Sequence, residues 1–129
     1  MTRLAPLLAL CAMSACAATT EPDYGGDLVA RMAYVDSTAI TPIPSVCASA
    51  CTLHVAKGCI TPNTRMGFHG PLANSGIGLL PSVWEQYSRI MADYYPPALA
   101  EWFIAEARYS RDLIWLDYEQ LLAMGVEGC

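Results

Sequence analysis

The chain has 129 residues, 54% of them hydrophobic and only 15% charged, which is enough for one small folded domain and too apolar for a disordered one. Its formal net charge is −5. That balance argues against nucleic acid, whose phosphates need a basic face, and against an anionic membrane surface.

The first segment reads as a targeting signal. Thr2-Arg3 is a short positive start, and Leu4 to Ala15 is a mostly apolar run too short to span a bilayer. The small residues Ser14-Ala15-Cys16-Ala17-Ala18 follow. Cleavage after Ala17 fits a small-x-small rule, and Met13-Ser14-Ala15-Cys16 also fits a lipoprotein processing site with Cys16 as the lipid anchor. A buried strand or helix over Leu4 to Met13 is the competing reading. The division is therefore a signal over residues 1–17 and a single domain over 18–129, exported to the periplasm or anchored to a membrane. Cys47, Cys51, Cys59 and Cys129 then lie in an oxidising compartment, where disulfides form. Four cysteines allow three pairings. Cys47 or Cys51 with Cys59 is the local choice, leaving Cys129 free or intermolecular.

Glu21 to Gly26 is a loop by composition. Asp27 can cap a helix over Leu28–Val35, with apolar residues at 28, 29, 32 and 35. Thr41 to Val46 reads as a short edge strand, since Pro42 and Pro44 bar it from a central position. Ala48 to Lys57 is the next helix, with Gly58 as its left-handed terminator. Arg65 to His69 is a short strand, and Gly70 to Gly78 a mobile glycine-rich loop. Pro81-Ser82 opens an amphipathic helix over Val83–Tyr94, which Pro96-Pro97 ends. A second helix runs from Ala98 to about Tyr109. Asp117 caps Tyr118–Met124, and Gly125 closes it. Helices with a few short strands between them make the class α/β.

Two residues carry candidate chemistry. Ser49 sits between small neighbours in Cys47-Ala48-Ser49-Ala50-Cys51, at a helix start. There, free backbone N–H groups favour developing negative charge. A helix N-cap is its ordinary alternative role. His69, in Gly67-Phe68-His69-Gly70, ends a strand beside a loop and can act as a general base; an idle surface histidine is the alternative. His54 lies five residues after Ser49 on the same helix. The two side chains diverge, so His54 is read as structural. Cys47, Cys51, His54, Cys59 and His69 could in principle ligate zinc. The Cys-x3-Cys spacing and an oxidising compartment argue against it, so no metal and no cofactor is expected.

The order Gly25-Gly26, helix, strand, Ser49, Gly58, Pro62-Asn63-Thr64-Arg65, strand, His69, loop, long helix resembles the Clp protease proteolytic subunit and its crotonase-like superfamily. It is most similar to an exported bacterial branch with a Cys-x-Ser-Ala-Cys motif. The similarity spans roughly residues 24–126 and is most specific over 47–71. It implies a serine peptidase with Ser49 as nucleophile and His69 as base. Gly26 and Ala50 would supply the amides of an oxyanion hole, which holds the charge of the tetrahedral intermediate. The acid that orients the histidine would be Asp112, with Asp117 as the alternative. The resemblance implies a peptide or protein substrate. Trp84, Tyr87, Tyr94, Tyr95, Trp102 and Phe103, on and beside the helices at 83–94 and 98–109, are more often core, but some could serve a homo-oligomer. The chain departs from the family in lacking strands before Gly25, so the core is expected to be truncated on that side. A non-catalytic module for binding or assembly is the alternative function.

Overall fold

Val46–Ala48 (β1), Arg65–Phe68 (β2) and Ile114–Leu116 (β3) form one sheet in the order β1-β2-β3, in a computed structural model that describes residues 21–129. The signal read over residues 1–17, with Cys16, lies outside the described residues. β1 and β2 are parallel, with Ala48 level with Gly67; β2 and β3 are antiparallel, with Phe68 level with Ile114. A fourth, one-residue rung extends the parallel part. The Asp23 amide donates to Val46 O at 2.9 Å, and the Ala48 amide donates to Asp23 O at 2.8 Å. Three neighbouring segments thus run the same way.

The helices follow their sequence signals. α1 is Leu28–Ser37, and Asp27 caps it by accepting from the Ala30 amide at 2.7 Å. α2 is Pro81–Ala92 and α3 is Pro97–Ala105, each opened by a proline whose missing N–H costs nothing in a first turn. A 3₁₀ turn, Ala107–Tyr109, extends α3. α4 is Tyr118–Ala123, held by a capping box. The Asp117 carboxylate accepts from the Gln120 amide, and the Gln120 side chain accepts from the Asp117 amide, both at 2.9 Å. The α/β class is therefore observed.

Three expectations about the backbone are corrected. Thr41 to Pro44 is not a strand; with Pro42 and Pro44 lacking N–H donors, pairing begins only at Val46. The element after Ser49 is a 3₁₀ helix, Ser49–Ala56, rather than an α-helix. Gly58 does not adopt the left-handed region. It is needed because a Cβ there would lie 2.4 Å from the Thr41 carbonyl oxygen.

One core holds the layers together. Phe68 on β2 meets Tyr95 and Trp102 edge-on at ring-centroid distances of 5.7 and 5.4 Å, and Tyr95 meets Phe103 at 5.3 Å. Leu53, Ile60, Met66, Leu99 and Leu121 fill the rest and are fully buried. The cysteines pair as Cys47–Cys51 and Cys59–Cys129, which corrects the local pairing with Cys59 and the free Cys129. The second bond becomes reachable because the chain end folds back along Ile60. The Ile60 amide donates to Glu127 O at 2.8 Å, and the Cys129 amide donates to Ile60 O at 2.9 Å. Two disulfides mark a protein of an oxidising compartment outside the cytoplasm. Among the described residues, no helix is long and apolar enough to cross a membrane.

Candidate active site

Parallel neighbours deliver their carboxyl ends to the same edge of a sheet, which is where open α/β folds place ligands. Here the Asp23 rung leads to Gly25-Gly26, β1 leads to Ser49-Ala50, and β2 leads to His69-Gly70. Adjacent strands lie about 4.8 Å apart, so the three ends are near neighbours. Gly26, Ser49, Ala50 and His69 line one cleft of about 290 Å³, with Leu28, Pro71, Leu72 and Met91 as its apolar walls.

Ser49 has a backbone that sets it apart. With φ of 57°, it is the one non-glycine residue in the left-handed region among the described residues. That conformation costs an L-residue about 1–2 kcal/mol, and such strain clusters at functional sites. The strain sits at a sharp strand-to-helix turn, the kind of turn that lifts a nucleophile out of a sheet in G-x-S-x-G hydrolases. Here the positions two before and two after the serine are Cys47 and Cys51, and their disulfide closes the turn with Cα atoms 5.3 Å apart. The core holds the turn from the other side. The Thr52 hydroxyl donates to Ser49 O at 2.7 Å. Having spent its proton there, it accepts from the buried Tyr95 hydroxyl, also at 2.7 Å. Burial pushes the Tyr95 phenol up, so it stays protonated as that donor.

The helix-cap alternative for Ser49 does not describe this turn. Ala48 occupies the N-cap position, and no side chain caps the 3₁₀ helix. The Ala50 amide lies in the first turn, where helical amides have no intrahelical acceptor. Gly25 packs directly on this backbone. A Cβ there would fall 2.8 Å from both Ala50 N and Ser49 Cβ, whereas one on Gly26 would meet nothing within 4 Å. Both glycines have positive φ, 100° and 102°. The double glycine therefore lets a second strip of backbone lie against Ser49-Ala50 and leaves Gly26 open to the cleft.

His69 follows β2 directly and is half-buried. Its Nδ1 donates to the Gly70 carbonyl at 2.5 Å, which leaves Nε2 as the ring nitrogen not committed to that bond. Gly70 must be glycine, because a Cβ there would lie 1.9 Å from the Arg108 carbonyl oxygen. No hydrogen bond joins Ser49 Oγ to His69, whose ring bonds to the Gly70 carbonyl. Asp112 lies in the segment facing Gly70, whose amide donates to Ser110 O at 2.9 Å. It is exposed, and its carboxylate bonds to no described residue. The partner of Nδ1 is thus a backbone carbonyl rather than a carboxylate. Asp117 is occupied by its capping box.

The loop after His69 is tied down at two points. Asn74 donates to Asp27 Oδ2 at 2.8 Å, and Arg111 donates to Gly76 O at 2.9 Å. The bonds from the Ala30 amide and from Asn74 hold the Asp27 carboxyl below the usual carboxylate range.

Asp23, Arg31 and His54 form a cluster behind the glycines. Arg31 pairs with Asp23 at 2.6 Å, and the Arg31 guanidinium lies 3.0 Å from His54 Nε2. His54 is 4% exposed and donates through Nδ1 to Pro42 O at 2.9 Å, in keeping with its structural reading. Sequence reasoning missed Asp23 and Arg31. The acidic and basic residues eight apart carry no local signal, because only the turn at Gly25-Gly26 brings them together.

No family model, curated protein or solved structure matches this chain.

Proposed function

We propose that the chain is an exported serine hydrolase that performs acyl transfer on peptide bonds through Ser49. The observation that carries this reading is the strained Ser49 turn, opening into the same cleft as His69 and the Gly26 and Ala50 backbone. Ser49 Oγ attacks the substrate carbonyl carbon and gives its proton to His69 Nε2. The Gly26 and Ala50 amides hold the resulting oxyanion. Collapse breaks the C–N bond, and the amine leaves with the proton from His69. Water then enters by the same base and releases the acid, restoring Ser49. The Gly70 carbonyl fixes the histidine tautomer, the role a carboxylate plays in a Ser-His-Asp triad.

From the order of its parts we read the chain as a relative of the Clp and crotonase-like proteins. Asp112 keeps a role in this scheme only if substrate binding draws its carboxylate to His69. The missing carboxylate at Nδ1 favours a second reading, a binding module built on the same turn. A fluorophosphonate separates the two. A hydrolase is labelled, and Ser49→Ala and His69→Ala abolish the labelling. A folded protein that resists the probe supports the binding module.

A further inference from the structure

The peptide unit between Gly25 and Gly26 joins the cluster at Asp23 to the cleft. The Gly25 carbonyl and the Gly26 N–H belong to one peptide plane, and a trans peptide points them in opposite directions. Arg31 Nη2 donates to that carbonyl at 2.8 Å. Arg31 is not among the residues lining the cleft, whereas Gly26 is. Pulling the carbonyl toward Arg31 therefore turns the Gly26 N–H away from Arg31. Both flanking residues are glycine with positive φ, so no side chain of their own prevents this plane from flipping, and the bond from Arg31 is the hydrogen bond that holds it.

We propose that Arg31 is a positioning residue of the site: it holds the Gly25 carbonyl so that the Gly26 amide faces the oxyanion. This rests on the reading of Ser49, Gly26 and Ala50 as an acyl-transfer site. The guanidinium is itself fixed from several directions, as its planar fork of donors allows. Nη1 donates to Asp23 Oδ2 at 2.6 Å, and Nη2 donates to Asp23 Oδ1 at 3.1 Å. Asp23 Oδ1 also accepts from the Gly25 amide at 2.9 Å, so both polar groups of Gly25 belong to the network. His54 completes it. Pro42 O can only accept, so His54 Nδ1 carries the proton and Nε2 is left to accept from Arg31 Nη1 at 3.0 Å. Asp23 in turn clips the strip to β1 through its backbone. Arg31 thus reaches from α1 to the serine turn without touching the cleft.

The test compares wild type, Arg31→Gln and Arg31→Lys. Each protein is reacted with an alkyl fluorophosphonate and assayed on a p-nitrophenyl ester; far-ultraviolet circular dichroism and disulfide content report the fold. Removing one oxyanion donor costs about 100-fold or more in kcat, so misaiming the Gly26 amide in Arg31→Gln should slow both reactions by at least about tenfold. The loss should fall on kcat with KM unchanged, because the donor acts on the transition state. Arg31→Lys, which keeps one ammonium but not the fork, should recover part of the rate. Should Arg31→Gln fail to fold, Arg31→Lys is read in its place against wild type. A folded variant that reacts at the wild-type rate, or that loses rate only through KM, overturns the role of Arg31 and leaves Ser49 as nucleophile. A folded wild type that resists the probe overturns the acyl-transfer reading, and the role of Arg31 with it.

Discussion

Removing the two disulfides separately should separate stability from chemistry. Cys59–Cys129 closes a loop with a sequence separation of 70, and Cys47–Cys51 one of 4. Loop-closure entropy assigns about 4.4 kcal/mol to the first and about 2 kcal/mol to the second. Cys47 and Cys51 are fully buried. Replacing them by alanine forfeits roughly 1 kcal/mol of packing for each sulphur, which brings that pair to about 4 kcal/mol as well. Cys59 and Cys129 are more exposed and add little. The two double-alanine variants should therefore lose stability of the same order, less for Cys47→Ala/Cys51→Ala by whatever strain its freed turn recovers, with urea midpoints lowered by roughly 1–2 M. Their chemistry should differ. Without its staple, the Ser49 turn can relax the left-handed backbone and recover the strain of about 1–2 kcal/mol. Escape of that size leaves the reactive geometry about tenfold less populated, since 1.4 kcal/mol is a factor of ten. Fluorophosphonate labelling, measured at low temperature with both variants folded, should be close to wild type for Cys59→Ala/Cys129→Ala. For Cys47→Ala/Cys51→Ala it should be roughly tenfold slower. Equal labelling rates in the two variants would refute the claim that the short disulfide holds the serine turn.

Two further outcomes follow from the same geometry. Ser49→Gly removes the Cβ that makes φ of 57° costly, so thermal unfolding should move up by roughly 2–5 °C while labelling disappears; an unchanged or lower Tm would deny the strain. Acid should destabilise the fold through His54. Burial lowers the imidazole pKa and the Arg31 cation adds to the effect, against the opposing pull of the Pro42 carbonyl and Asp23; the Tyr34 ring, 5.7 Å away, is its uncharged neighbour. The unfolded chain thus binds this proton more readily than the folded one. His54's contribution is complete above about pH 6.5 and is lost as pH falls through its lower folded value. Asp23 adds a loss of the same sign at lower pH. Burial would raise its carboxyl, but the hydrogen bonds from Arg31 and the Gly25 amide outweigh that and hold it below the usual range. Urea midpoints between about pH 7 and 5 should fall in wild type and stay flatter in His54→Gln; an equal fall in both would show that His54 does not titrate in this way.

Local signals were legible in the sequence, and long-range ones were not. Asp27 and Asp117 announce the starts of α1 and α4 because a cap is written within four residues. Pro81 announces α2 in the same way, whereas Pro97, which reads in the sequence as the end of one helix, is also the first residue of α3. β3 has no local signal, because Ile114-Trp115-Leu116 is a three-residue apolar run that only pairing with β2 makes a strand. Sequence proximity favours pairing Cys59 with Cys47 or Cys51, and the structure does not follow it. The actual bonds follow from a turn at Ser49 and from the chain end returning along Ile60. Ser49 and His69 stood out as residues, but the positive φ of Ser49 has no sequence signature, since a serine ordinarily avoids that region. The tie from Arg31 to Gly25 is likewise invisible without the turn that brings the two together.

The central claim concerns one hydroxyl. Full-length protein treated with a fluorophosphonate, digested and mapped by mass spectrometry, should carry a single phosphonyl group on Ser49, formed as fluoride leaves, and none in His69→Ala. Absence of the adduct in folded protein, or an adduct on another residue with Ser49 unmodified, would contradict the account.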